Sequence, residues 1–183
     1  MCAAEDATRA LVLSAEEILA QRAESLAHQT SEEGASEGLS VLLFRVAEEW
    51  YAVPVGNVRE IFQEYEITVI PCVPSFILGV VNVRGEILSV TDSADIMGIG
   101  SVRMADGVAP PAIVIANDEV ATALVVDEIG DITEVPNSTV EPPISIIDRN
   151  QAAFVAGSLY INESMVGLIN IERMLEPIVV SRH

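Results

Sequence analysis

From Leu39 onward, valine, isoleucine and leucine recur in short runs broken by Pro, Gly, Asn and Asp, the pattern of short strands joined by tight turns. VLLFRVAEEWYAVPV (41–55) predicts a hairpin turning near Glu48-Glu49, and GNVREIF (56–62) predicts a helical turn or two. GVVNVRGEILSVTD (79–92) predicts a second hairpin turning at Arg84-Gly85. SADIMGI (93–99) then reads as a short capped helix and GSVRMADGVAP (100–110) as a loop. Residues 1–38 differ in texture. Ser14 and Glu17 have the capping-box spacing, and Ile18, Leu19 and Leu26 share one helical face, predicting a helix over about 14–29. The acidic, small-residue stretch QTSEEGASEG (29–38) predicts a flexible linker.

The same order of signals recurs. AIVIANDEVATALVV (112–126) predicts a hairpin turning at Asn117-Asp118, DEIGDI (127–132) takes the place of GNVREI, GSLYINESMVGLIN (157–170) that of GVVNVRGEILSVTD, and IERML (171–175) supplies the closing helix. Val55, Val58 and Ile61 match Val126, Ile129 and Ile132; Gly79, Val81 and Val83 match Gly157, Leu159 and Ile161. Two halves follow, about 40–98 and 111–176, each a small sheet of about five strands. A unit of that size hides its edges by closing or nearly closing. An all-β fold of two small barrels sharing an apolar seam is therefore expected.

Composition narrows the chemistry. Half of the 183 residues are hydrophobic, enough for a real core, while 9 basic and 28 acidic residues give a net charge of −19. Every basic residue is arginine. So acidic a chain repels nucleic acid and anionic membranes. Cys2 and Cys72 form no disulfide framework. His28 and His183 lack metal-ligand partners at useful spacing, so neither metal nor other cofactor is expected. GIGSVRMADG (98–107) follows a helix, the wrong context for dinucleotide binding. No nucleophile elbow or catalytic triad can be assembled, and of the carboxylate pairs Glu48-Glu49, Asp118-Glu119 and Asp127-Glu128 most fall at expected turns. A non-enzymatic protein in a reducing, cytoplasmic setting is the expectation, with no signal peptide and no run near the roughly 18 apolar residues of a membrane span.

VPSFILGVVNVRGEILSVTD (73–92) resembles the CheW-like coupling domain of bacterial chemosensory systems. The resemblance rests on Val73-Pro74, Phe76-Ile77, Gly79-Val80-Val81-Asn82-Val83-Arg84-Gly85 and Asp92. Val58, Glu60 and Ile61 upstream, and ALVVDEIGDI and LINIERML downstream, extend it from about Leu39 to Glu176. Val83, Ser89 and Ser93 depart from the usual Leu, Pro and Leu. The resemblance implies two SH3-like five-stranded barrels and a non-catalytic adaptor. It implies partners too: the cytoplasmic tips of chemoreceptors and the regulatory domain of a CheA-type histidine kinase, in membrane-associated receptor arrays. Receptor contacts are implied at Val58, Glu60 and Arg84, and kinase contacts at Ile67, Thr68 and Gly79. Arg84 has two open readings, direct receptor contact or internal pairing with Glu60. A coupling protein of a twitching or developmental pathway is the alternative function, and a small-molecule-binding barrel a further one. The role of residues 1–38 lies outside the resemblance.

Overall fold

A computed structural model describes residues 38–102, 110–143 and 149–180. The helix expected over 14–29 and most of the 100–110 loop lie outside these residues. Among the described residues, ten strands are interspersed with short helical turns: β1 (Gly38–Val46), β2 (Glu49–Pro54), β3 (Val58–Phe62), β4 (Ile77–Val83), β5 (Glu86–Asp92), β6 (Ala112–Ala116), β7 (Ala121–Val125), β8 (Glu128–Pro136), β9 (Val155–Ile161) and β10 (Ser164–Ile169). Among the described residues, short α-helices follow β5, precede β9 and follow β10: α1 (Ser93–Ile96), α2 (Arg149–Ala152) and α3 (Ile171–Val180).

The strands form two five-stranded sheets, and neither is a contiguous half of the chain. The first has the order β8-β1-β2-β10-β9 and the second β3-β6-β7-β5-β4. The expected units 40–98 and 111–176 have thus exchanged their leading hairpins. The repeat survives the exchange. In each sheet the visiting hairpin pairs antiparallel on one side (β1 with β8, β6 with β3) and parallel on the other (β2 with β10, β7 with β5).

The reason lies in the faces of these hairpins. Val41, Leu43 and Ala52 join a core under the first sheet with Val135, Leu159 and Val166. The alternate positions Leu42, Phe44, Val46, Tyr51 and Val53 enter a second, larger core built mainly on the other sheet. Strands β6 and β7 are buried at every position. A strand apolar on both faces needs cover on both, and a place between two cores supplies it.

The segments expected to be helical turns are mostly strand. Only Val55–Asn57 forms a 3-10 turn, after which Val58–Phe62 pairs with β6; likewise Glu128–Pro136 is β8. The three-residue apolar spacing mimicked a helix, but pairing with a buried strand overrode that local signal. The first turn lies at Ala47-Glu48, one residue earlier than expected, with Glu49 paired to Val46.

Each sheet's ends approach through a single bridge. Beyond β3, Thr68 exchanges two 2.9 Å backbone hydrogen bonds with Val80; beyond β8, Glu141 does the same with Ser158 at 2.8 and 2.9 Å. Glycine permits both crossings. A Cβ on Gly79 (φ 151°) would stand 2.4 Å from the Thr68 carbonyl oxygen, and one on Gly157 2.8 Å from that of Glu141. The hairpins end in matching caps. Asp92, 2 % exposed, accepts from the amides of Ala94, Asp95 and Val102 and from the Ser101 hydroxyl. Asn170 accepts from the Arg173 amide at the start of α3.

Alanine substitutions should rank accordingly. Gly79→Ala, blocked by rigid backbone, is expected to cost roughly 2–4 kcal/mol, Gly157→Ala less, and Gly56→Ala, with open space around it, almost nothing. Urea denaturation of the three variants checks the order.

Candidate functional site

The second sheet carries both groups of residues implicated by the sequence. Its β4–β5 hairpin closes through Arg84-Gly85, with Val83 opposite Glu86. Both loop residues have positive φ, 52° and 90°, as a type I′ turn demands, which matches the right-handed twist of the strands. Gly85 supplies that conformation cheaply; Asn82 Oδ1 steadies it by accepting from the Gly85 amide at 2.8 Å.

The turn projects Arg84 towards β3. Its Nη2 and Nε donate to one oxygen of Glu60 at 3.0 and 3.3 Å. Arg59 approaches Glu86 at 3.6 Å beside it. These pairs tie one outer strand of the sheet to the hairpin containing the other. The Arg84 side chain is 83 % exposed and that of Glu60 only 30 %. The pair is thus anchored at the carboxylate and open at the guanidinium, whose remaining donors face solvent. Ile61 and Ile87, the next residues along each strand, are exposed. Val58 is different: it is half-buried, opposite Ile115, and packs on the larger core. Of the residues assigned to the receptor, the fold brings Glu60 and Arg84 together and uses Val58 mainly as packing.

Ile67, Thr68 and Gly79 also converge, at the crossing over β4. Thr68 is exposed and Ile67 half-buried, while Gly79 is buried beneath both. Tyr65 holds the approach to this crossing. Its hydroxyl donates to the Pro110 carbonyl at 2.7 Å, and its ring meets Phe62 edge-on at 4.9 Å between centroids. Burial raises the Tyr65 hydroxyl from its ordinary 10 to about 12. Just past Thr68, the chain exposes Val69 (76 %), Ile70 (37 %) and Val73 (37 %). Sequence reasoning missed this apolar loop. Its signal was an apolar run interrupted by Pro71 and Pro74, which bar continued strand pairing. Among the described residues, no group of three or more His, Cys, Asp or Glu is placed to hold a metal ion, and no helix is long and apolar enough to cross a membrane.

Comparison with known proteins bears on the family and the fold. The profile of the CheW-like domain matches residues 40–178. The probable chemotaxis protein CheW of Rhizobium etli is 30 % identical over 135 residues, spanning 73 % of this chain and 85 % of that protein. Protein FrzA of Myxococcus xanthus is 28 % identical, spanning 73 % and 82 %. Among solved structures, the scaffolding protein TtCheW from Thermoanaerobacter tengcongensis superposes with a TM-score of 0.65 at 28 % identity, covering 73 % of this chain and 89 % of that one.

Two measurements probe the site's physics. Arg84→Ala removes an exposed ion pair, and such pairs contribute roughly 0–1 kcal/mol, so its calorimetric melting point should stay close to that of the parent. Tyr65 gives an alkaline signature. Below pH 10 its hydroxyl is protonated in folded and unfolded chains alike. Between 10 and about 12 the unfolded chain loses its proton first, so stability falls as pH rises. Burial raises Tyr51 too, with the same sign. Thermal melts across this window should therefore show a decline that is shallower in Tyr65→Phe.

Proposed function

The chain belongs to the CheW-like domain family, a family of non-catalytic adaptors, and on that premise we propose that it couples chemoreceptor tips to a CheA-type histidine kinase within membrane-associated receptor arrays. The observation that carries the reading is the separation of two features along one hairpin. Gly79, under the apolar crossing in β4, and Arg84, in the charged turn just beyond that strand, stand five positions apart, about 16 Å at the rise of a strand. Two partners can therefore be held at once without competing.

In this reading the receptor side consists of Glu60 and Arg84, with Val58 shaping the strand beneath them. A receptor tip is a helical hairpin, and the open guanidinium of Arg84 would meet its polar flank while Ile61 and Ile87 offer apolar contact. The kinase side is the crossing at Ile67, Thr68 and Gly79, enlarged by Val69, Ile70 and Val73. An aliphatic patch of this kind suits the apolar centre of a protein interface. Each interface can be modest, because an array multiplies weak contacts. The coupling itself requires only that a partner bind one kinase state better than the other. We read each sheet as a small SH3-like barrel, supported by the bridges that join its two ends. The likeness to FrzA as well as to CheW leaves room for the same coupling in a pathway other than chemotaxis.

The proposal predicts separable losses. Arg84→Ala should weaken pull-down by receptor tips while retaining the kinase regulatory domain, and Val69→Glu should do the reverse. Isothermal titration against that regulatory domain, together with receptor co-sedimentation, gives both readouts. Loss of both partners in each variant, or of neither, overturns the assignment of the two faces.

A further inference from the structure

The two ends of the repeat differ at one place. Strand by strand, Val58-Arg59-Glu60-Ile61 of β3 corresponds to Ile129-Gly130-Asp131-Ile132 of β8, and Val83-Arg84-Gly85-Glu86 to Ile161-Asn162-Glu163-Ser164 at the β9–β10 turn. The turns share their backbone, with φ 52° at Arg84 and 50° at Asn162. In the second sheet these positions hold two ion pairs, Arg84–Glu60 and Arg59–Glu86. In the first sheet the corresponding four residues are Gly130, Asp131, Asn162 and Ser164. Three of the four charges are gone, and the carboxylate alone remains.

A cavity of about 300 Å³ opens at that spot, lined by all four of these residues together with Trp50 and Leu43. Trp50 lies over Gly130, where an added Cβ would stand 2.9 Å from its Cζ3. Its counterpart on β7 is Ala121, placed by the equivalent parallel ladders, so the ring is peculiar to this end. Glu128, nearby on β8, is already bonded by Arg45 at 2.7 and 3.0 Å. Asp131 takes part in none of the four ion pairs among the described residues.

We propose that this cavity receives one arginine side chain from a polypeptide partner, with Asp131 accepting the guanidinium and Trp50 providing an aromatic face. The second sheet shows how such a cation is held, since Arg84 bonds the carboxylate of Glu60 at the matching place from within the chain. A flat guanidinium suits both groups, because it bonds carboxylates through parallel donors and stacks on aromatic rings. The volume is at the lower limit for ligand pockets, which fits a side chain. The net charge of −19 draws cations to the surface. This inference does not rest on the adaptor reading.

Trp50 is the only tryptophan in the chain, so its fluorescence reports on the cavity directly. The full-length protein is titrated with the peptide acetyl-Gly-Arg-Gly-amide and with its citrulline analogue, which keeps the shape and lacks the charge. Saturable change with the arginine peptide is expected at a dissociation constant on the order of 1 mM. The citrulline peptide and the Asp131→Asn variant should each bind about tenfold more weakly, and Asn162→Arg, which supplies a competing guanidinium to Asp131 from the turn as Arg84 does to Glu60, should abolish the response. Circular dichroism of both variants checks that the fold is kept. No saturable change with the arginine peptide overturns the proposal, as does a response that the citrulline peptide, Asp131→Asn and Asn162→Arg all leave intact.

Discussion

Burial of the β1–β2 and β6–β7 hairpins on both faces is the constraint from which the rest of the molecule follows. Each hairpin carries apolar side chains on both of its surfaces, and a fully buried Val, Leu or Phe contributes roughly 1.5–3 kcal/mol. Left in its own half of the sequence, each would cover one face and expose the other. Exchange resolves this, because the middle of the molecule offers a core on either side. Phe44 and Val53 enter one core while Leu43 and Ala52 enter the other. The two sheets are thereby made one body, since neither holds a central pair of strands from its own half of the chain.

The exchange leaves the outer strands free for display. β3 and β4 bound the second sheet, and three contacts draw their neighbourhoods together: the Thr68–Val80 bridge, the Arg84–Glu60 pair and the Arg59–Glu86 pair. The bridge is backbone over glycine and belongs to both halves of the repeat. The ion pairs belong to one half only. Architecture is thus carried by the repeated features and individuality by the unrepeated ones. Arg84 is unrepeated, and its pair with Glu60 spans the strands while most of its side chain stays exposed to solvent. Of the two readings of Arg84, the internal pairing with Glu60 is the one the geometry displays, at 3.0 Å.

Much of this was legible before any coordinates. The Arg84-Gly85 turn and Asp92 at the strand end are local signals, fixed by turn chemistry and capping, and the matched Gly79 and Gly157 were legible as a repeat although the crossings that require them were not. The proximity of Glu60 to Arg84 was also expected, through the family resemblance. The strand identity of Val58–Phe62 was hidden, because a spacing of three imitates a helix until a neighbouring strand claims its backbone. The exposed Val69–Val73 loop was hidden too, since an apolar run gives no sign of whether it is covered.

What the sequence determined by itself, then, is the inventory: an acidic, strand-rich chain with an internal repeat, its turns and glycines in place, and a coupling-domain motif along most of its length. These follow from short-range chemistry, readable over a few neighbouring residues. Only the tertiary structure decided which hairpin lies in which sheet, and that Asp131 faces a cavity where Glu60 faces an arginine. Both depend on contacts between segments distant along the chain. Alternating apolar residues show that a hairpin must be buried, but they do not name the strand that will bury it.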